Sequence, residues 1–136
     1  MNQSKGLMRK AWTLYAAAQG PIHEGGAYEE LCYIAHQAVE KAFKGLIIFF
    51  NEEYEYTHNI SKLLKVLKKH TIVPDAVCEA YQLTKYAQDL RYTNPDEDIP
   101  IEEHQNILNI CRTCLNWVEY KLSEQTDKET IKEGTK

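Results

Sequence analysis

Apolar residues recur at alternating spacings of four and three along residues 28–51. The recurring positions are mostly small: Leu31, Ala35, Ala38, Ala42, Gly45 and Phe49. Such a repeat keeps one side of an α-helix apolar, and small side chains let a neighbouring helix approach closely. Val39, Leu46 and Phe50 widen the apolar side. The pattern predicts a long central helix, and we expect the rest of the chain to pack around it.

Apolar residues with similar spacing predict four more helices, at residues 5–19, 57–70, 74–90 and 99–122. Gly20-Pro21 ends the first of these, because proline cannot continue the helical ladder. Thr57 is a suitable N-cap for the next, and Pro74 is tolerated in the first turn of the one that follows. Asp98 is the expected cap of the last helix, with Pro100 in its first turn.

The buried faces follow from the same spacing. The first predicted helix should bury Leu7, Trp12, Leu14, Tyr15 and Ala18. The helix at residues 74–90 should turn inward Val77, Ala80, Tyr81, Thr84, Ala87 and Leu90. The last helix should bury His104, Leu108, Cys111, Leu115, Val118 and Leu122. No stretch of useful length alternates as a strand would. The fold class is therefore predicted as all-α, an up-and-down bundle of four or five helices.

The apolar spacing stops at Ser123. We therefore expect a single bundle domain at residues 1–122 and a charged, frayed and solvated tail at residues 123–136. A chain of 136 residues is long enough to bury a core without disulfide staples.

Composition narrows the function classes only slightly. Lys and Arg number 16 against 20 Asp and Glu, a formal charge of −4, which offers no global attraction for nucleic acid or anionic membranes. A local basic patch stays open. No apolar run approaches the roughly 18 residues that a membrane span needs, and the first residues have no signal-peptide core. The four cysteines fall inside helical patterns, where Cys usually packs as a small apolar side chain, so we expect a reducing cytoplasm as the location. We predict no cofactor.

A polar row on the central helix is the first candidate site. It consists of Gln37, Glu40, Lys41 and Lys44. Lysines three residues apart can meet phosphate oxygens, and a glutamine can read a base edge. The alternatives are an ordinary solvated helix face, or pairing of Glu40 and Lys44 with His58 or Arg91 at an interface.

The spacing of histidine, glutamate and cysteine residues does not predict a metal site or a redox site. His36 and Glu40 lie four residues apart, but no third ligand can be named, and a metal site needs three or four. We therefore predict no metal. Cys111 and Cys114 form a single CxxC pattern on a helix, without a second pair or a preceding strand. We expect both cysteines in the core.

Three blocks of sequence resemble one known family. They are CYIAHQAVEKAFKGLI at residues 32–47, THNISKLLKVL at residues 57–67 and LRYTNPD at residues 90–96. In order and spacing they resemble the HEPN family (higher eukaryote and prokaryote nucleotide-binding domain), in its small stand-alone prokaryotic form. The resemblance implies a helical bundle that usually dimerises, that binds a nucleotide or RNA, and that works with a minimal nucleotidyltransferase in a toxin–antitoxin or substrate-binding role. On this basis the expected ligand-binding residues are Gln37, Glu40, Lys41, Lys44, His58, Arg91 and Tyr92.

Ribonuclease members of the family carry an Arg followed four to six residues later by His, with a polar residue straight after the Arg. In this chain Arg91 is followed by Tyr92, and the next histidine is His104. The sequence therefore departs from the ribonuclease pattern. Arg91 and His104 could still face a common cleft, because a short loop joins their helices. In that arrangement the Arg would stabilise a charged phosphorane and the His would move a proton. Otherwise Arg91 pairs with a nearby acid, and His104 is a hydrogen-bonded residue of the core.

Three hypotheses follow. The first is a dimeric nucleotide- or RNA-binding protein that acts with a nucleotidyltransferase. The second is a metal-independent endoribonuclease that uses Arg91 and His104. The third is a pure protein-interaction module whose groove holds a partner helix.

Overall fold

The computed structural model describes residues 2–22, 27–54, 56–87 and 99–134, with the backbone alone for Asn2 and for residues 125–134. The elements are α1 (Asn2–Ala18), α2 (Glu29–Phe49), α3 (Ile60–Leu67), α4 (Asp75–Cys78), a 3₁₀ helix (Glu79–Ala87) and α5 (Ile101–Gly134). Over these ranges there is no strand, so the all-α prediction is confirmed. None of the described helices combines the length and the apolar content that crossing a membrane requires.

Helix α2 is the centre of the bundle and packs against α1, α3, the 3₁₀ helix and α5. The predicted stripe is buried from Leu31 to Gly45, and Phe49 is half-buried. At Gly45 the two helices come unusually close, because a Cβ there would lie 3.2 Å from the Ser4 carbonyl oxygen and 3.3 Å from the Leu7 Cβ. The predicted close approach of a neighbouring helix is therefore confirmed, and that neighbour is α1.

Helix α1 differs from its prediction in which residues reach the core. Met8, Ala11 and Ala18 are buried, whereas the larger side chains expected inside are half-buried: Leu7, Trp12, Leu14 and Tyr15. Two of these three buried residues are alanines, which suits the close approach of α1 to α2. The helix ends as predicted, with Gly20 in the left-handed region at φ 100°.

The inward face predicted for residues 74–90 is wrong in part. The buried residues are Val77, Ala80, Leu83 and Tyr86, one every three residues, and Tyr81 is 56% exposed. A 3₁₀ helix has three residues per turn, so its buried face repeats every third position instead of every 3.6. The expectation for Leu90 lies outside the described residues.

The N-cap of α3 is Asn59, not Thr57. Its side chain accepts a hydrogen bond from the Lys62 backbone N–H at 3.3 Å, while the Thr57 hydroxyl accepts one from the Asn59 N–H at 3.0 Å. Asparagine is the stronger capping residue, and the threonine instead tightens the turn before it. Helix α3 then ends at Leu67 instead of His70.

Helix α5 confirms its predicted stripe and extends beyond it. His104, Cys111, Leu115 and Val118 are buried, with Leu108 and Leu122 half-buried. The backbone stays helical to Gly134, whereas we expected fraying from Ser123. The residues beyond Leu122 include Lys, Glu and Gln, which favour helix even without a core to pack against. The expected cap at Asp98 lies outside the described residues.

Candidate functional site

The polar row on α2 is not an ordinary solvated face. Glu40 and Lys44 are each only 8% exposed. Charged side chains are rarely buried to this degree unless they are paired. Two tyrosines from the segment after α2 border Lys44, whose Nζ lies 5.1 Å from the centre of the Tyr54 ring and 5.7 Å from that of Tyr56. The chain that follows α2 therefore folds back over this part of the helix.

The Glu40 carboxylate contacts both Lys44 and His58. Its Oε2 accepts a hydrogen bond from Lys44 Nζ at 2.9 Å, and its Oε1 lies 2.8 Å from His58 Nδ1. Glu40 thus pairs with His58 within the chain, whereas the sequence left this pairing open for a row buried at an interface. We call His36, Glu40, Lys44 and His58 the Glu40 cluster.

His36 is the most deeply buried member of the cluster. Its Nε2 is 2.9 Å from the His58 carbonyl oxygen, so this nitrogen carries the proton and donates it. Its Nδ1 has no hydrogen-bond partner among the described residues and lies 3.9 Å from Glu40 Oε1. Burial lowers the pKa of His36 below its usual value. The neutral ring therefore fastens the residue-58 backbone to α2 without adding a charge.

Glu40 stays ionised although it is buried. Burial by itself would raise the pKa of its carboxyl group, but the hydrogen bonds from His58 and Lys44 outweigh burial and lower it. Glu40 and Lys44 thus balance each other's charge.

The outer surface of the cluster is aromatic and basic. The His58 side chain is 63% exposed, and its Nε2 lies on the far side of the ring from the carboxylate. Tyr56 is 89% exposed, with its ring centre 6.2 Å from that of His58. This surface therefore presents an open aromatic face beside an imidazole, with the Lys44 ammonium beneath. The sequence signal was the YEYTH run, in which the tyrosines closely precede the histidine.

The structure brings only some of the predicted site residues together. Glu40, Lys44 and His58 come together, while Lys41 lies half-buried on the same helix. The Gln37 amide donates a hydrogen bond to the Tyr33 hydroxyl at 3.0 Å, which engages it along its own helix. Arg91 and Tyr92 lie outside the described residues.

His104 lies away from the Glu40 cluster. It is buried, its Nε2 is 2.8 Å from the Ala18 carbonyl oxygen, and its ring centre is 4.8 Å from that of Tyr28. Tyr28 precedes Glu40 by twelve positions, roughly 18 Å along a helix. His104 thus ties α5 to the end of α1. Because Arg91 is not described, the pairing of Arg91 with His104 stays a prediction.

In the described part of the chain, no group of three or more His, Cys, Asp or Glu side chains comes together as a metal site would require. The Sγ atoms of Cys111 and Cys114 donate to the carbonyl oxygens of Ala35 and Val77. Burial raises the pKa of Cys111 to about 12 and that of Cys114 further still. The prediction that both cysteines belong to the core is confirmed.

Comparison with known proteins places this helical bundle in a family. The model of the HEPN domain matches residues 4–121, and the chain belongs to the HEPN family. No curated protein sequence matches it.

Two solved structures are similar to the chain. TT1696 from Thermus thermophilus is 29% identical with a TM-score of 0.74, over 89% of this chain and 99% of that one. ST0689, described as an archaeal HEPN homologue, is 26% identical with a TM-score of 0.69, over 89% of this chain and 98% of that one. The family predicted from the three sequence blocks is therefore confirmed.

Proposed function

We propose that this HEPN protein binds a nucleotide, free or at the end of an RNA strand, at the outer surface of the Glu40 cluster. The observation that carries the proposal is the position of Lys44. Its ammonium is nearly buried between the Glu40 carboxylate and the rings of Tyr54 and Tyr56, beside the exposed imidazole of His58. Holding a charge in this position is costly, which makes it a candidate for a functional site.

The chemistry of the surface suits a phosphate next to a base. The Lys44 ammonium is a donor for phosphate oxygens, and a phosphate would compete with Glu40 for it. The exposed ring of Tyr56 offers a face on which a base can stack. Because Tyr56 is almost fully exposed, stacking would also bury apolar area that now faces water.

Family membership extends the proposal to partners. The resemblance implies a homodimer in the cytoplasm that works with a minimal nucleotidyltransferase, either as its substrate-binding subunit or as the toxin of a pair. The Glu40 cluster would then hold the nucleotide or RNA end on which the partner acts.

Isothermal titration with AMP, ATP, GTP, UTP and a short RNA tests binding, for the protein alone and with a co-expressed nucleotidyltransferase. We expect Tyr56→Ala and Lys44→Met each to weaken binding about ten-fold, in the range that one stacked base or one phosphate contact contributes. Tyr120→Ala is the matched control, because it removes another exposed tyrosine, from α5.

Two results would contradict the proposal. One is no binding by any ligand under either condition. The other is an equal loss for Tyr56→Ala and Tyr120→Ala, which would show that the surface of the cluster is not where the ligand lies.

A further inference from the structure

A groove runs along the surface between α1 and α5, apart from the Glu40 cluster. It consists of two hollows of about 490 and 770 Å³ that meet at Trp12. The hollows extend along α1 from Lys5 to Gln19, fourteen positions or roughly 21 Å. This length matches about four turns of helix.

The floor of the groove is apolar and held in place. Met8 is buried in it, and Trp12, Leu108 and Leu122 are half-buried. The Trp12 Nε1 donates a hydrogen bond to Glu119 Oε1 at 2.9 Å, which links the two helices across the groove. The Tyr15 ring meets the Trp12 ring edge-on, at 5.8 Å between centres and 84° between planes. The floor is therefore preformed.

The rim of the groove carries the opposite charge from the protein as a whole. Among the described residues that line it, the charged ones are Lys5, Arg9, Arg112 and Glu119. Three are cations, and the single carboxylate is engaged by Trp12, on a protein whose formal charge is −4. The amides of four further residues complete the rim: Gln19, Gln105, Asn109 and Asn116. An apolar centre with a polar rim is the usual anatomy of a protein interface.

We propose that this groove docks an acidic amphipathic helix of a partner protein. Apolar residues at every third or fourth position of that helix would lie on the floor between α1 and α5. Acidic residues on its two flanks would face Arg9 on one side and Arg112 on the other. The proposal does not depend on nucleotide binding, because it uses no residue of the Glu40 cluster.

Nucleic acid fits the groove less well than a helix. The Trp12 ring is half-buried and Tyr15 packs edge-on against it, so it offers less open ring surface for base stacking than the exposed Tyr56. The Glu119 carboxylate lies where the two hollows meet and would repel a phosphate chain passing over it. The same carboxylate tolerates an apolar helix face, because its charge is partly satisfied by the Trp12 N–H.

A synthetic peptide provides the test. The probe is a fluorescein-labelled peptide of about 16 residues, with Leu at helical spacing and Glu on both flanks, measured by anisotropy with the full chain. Two comparison peptides have every Glu replaced by Lys, or the Leu positions scrambled at the same composition. We expect only the first peptide to bind wild-type protein. Arg9→Glu with Arg112→Glu should weaken it about ten-fold or more and admit the Lys peptide instead.

Charge reversal at two lysines elsewhere is the matched control. Lys65→Glu with Lys68→Glu changes the net charge equally at exposed positions of α3 and its C-cap, and should change affinity less than about two-fold. Arg9 and Arg112 are exposed, and circular dichroism checks that both double variants are folded. Three outcomes would overturn the proposal: no binding of the acidic peptide, equal binding of the scrambled peptide, or equal loss in the control. Binding of a labelled oligouridine that is lost in Arg9→Glu/Arg112→Glu would also overturn it, by assigning the groove to nucleic acid.

Discussion

Glu40 shows how a single buried carboxylate organises its surroundings. Each of its oxygens has one strong partner, Lys44 on the same helix and His58 before α3. Removing one partner of a buried pair typically costs several kcal/mol, because the other charge is left uncompensated. Such a pair therefore specifies where the residue-58 segment lies more than it adds to net stability.

His36 makes the stability of the protein depend on pH. Above its ordinary pKa of 6.5 the ring is neutral in both the folded and the unfolded chain. Below this pH the unfolded chain takes up a proton that the buried ring resists, because burial lowers its folded-state pKa. The free energy of unfolding should therefore fall as the pH drops below 6.5, by at most about 1.4 kcal/mol per pH unit.

Urea unfolding at several pH values between about 7.5 and 5.5 measures this dependence. His36→Gln keeps an N–H donor near the His58 carbonyl oxygen but does not titrate, so its stability should vary less over the same range. A wild-type protein and a His36→Gln variant with the same slope would show that another group is responsible.

At the scale of the helix, the number of residues per turn decides which side chains reach the core. The residues from Asp75 to Ala87 were predicted as one α-helix, but only Asp75–Cys78 is α-helical and the rest is 3₁₀. The backbone N–H of Ile60 donates to the Thr84 hydroxyl at 3.0 Å, and the Tyr86 hydroxyl donates to Glu103. These contacts to α3 and α5 come from distant parts of the sequence, so local spacing could not reveal the tighter turn.

The contact between α1 and α2 depends on the absence of a side chain at one position. Gly45→Ala gains about 0.5–1 kcal/mol of helix propensity, but its Cβ would press on the Ser4 carbonyl oxygen, which is backbone, and overpacking of this kind costs about 1–3 kcal/mol. We therefore expect a net destabilisation of about 1 kcal/mol. Gly6→Ala on α1 is the matched control, since a Cβ there meets nothing within 4 Å. It should stabilise the protein by about 0.5–1 kcal/mol through helix propensity alone.

Thermal and urea unfolding of the two variants separate these effects. Opposite signs of the change in unfolding free energy are expected. If Gly45→Ala also stabilised the protein, α1 and α2 would have room to separate, and the close approach would not limit the core.

For the molecule as a whole, the core is built around α2 and ends before the last third of α5. The last buried residue among the described side chains of α5 is Val118, and Leu122 is half-buried. Deleting residues 125–136 should therefore change the free energy of unfolding by less than about 0.5 kcal/mol. A deletion that also removes Val118 and Leu122 should lose several times more, because it exposes apolar contacts with the bundle.

Differential scanning calorimetry of both truncated proteins measures the difference. A fall of several degrees in Tm on deletion of residues 125–136 alone would show that this part of α5 contributes to the fold, and that the domain does not end near residue 122.

The sequence by itself determined the five helical segments, the central place of α2 and the HEPN family. These follow from apolar spacing and from short blocks of residues, which are local properties of the chain. Only the tertiary structure decided that Glu40 and Lys44 are buried, and that His104 bonds to the end of α1. Burial of a polar side chain depends on which distant segment passes over it. Here that segment carries Tyr54, Tyr56 and His58, and the spacing of residues along α2 does not encode how it folds back over the helix.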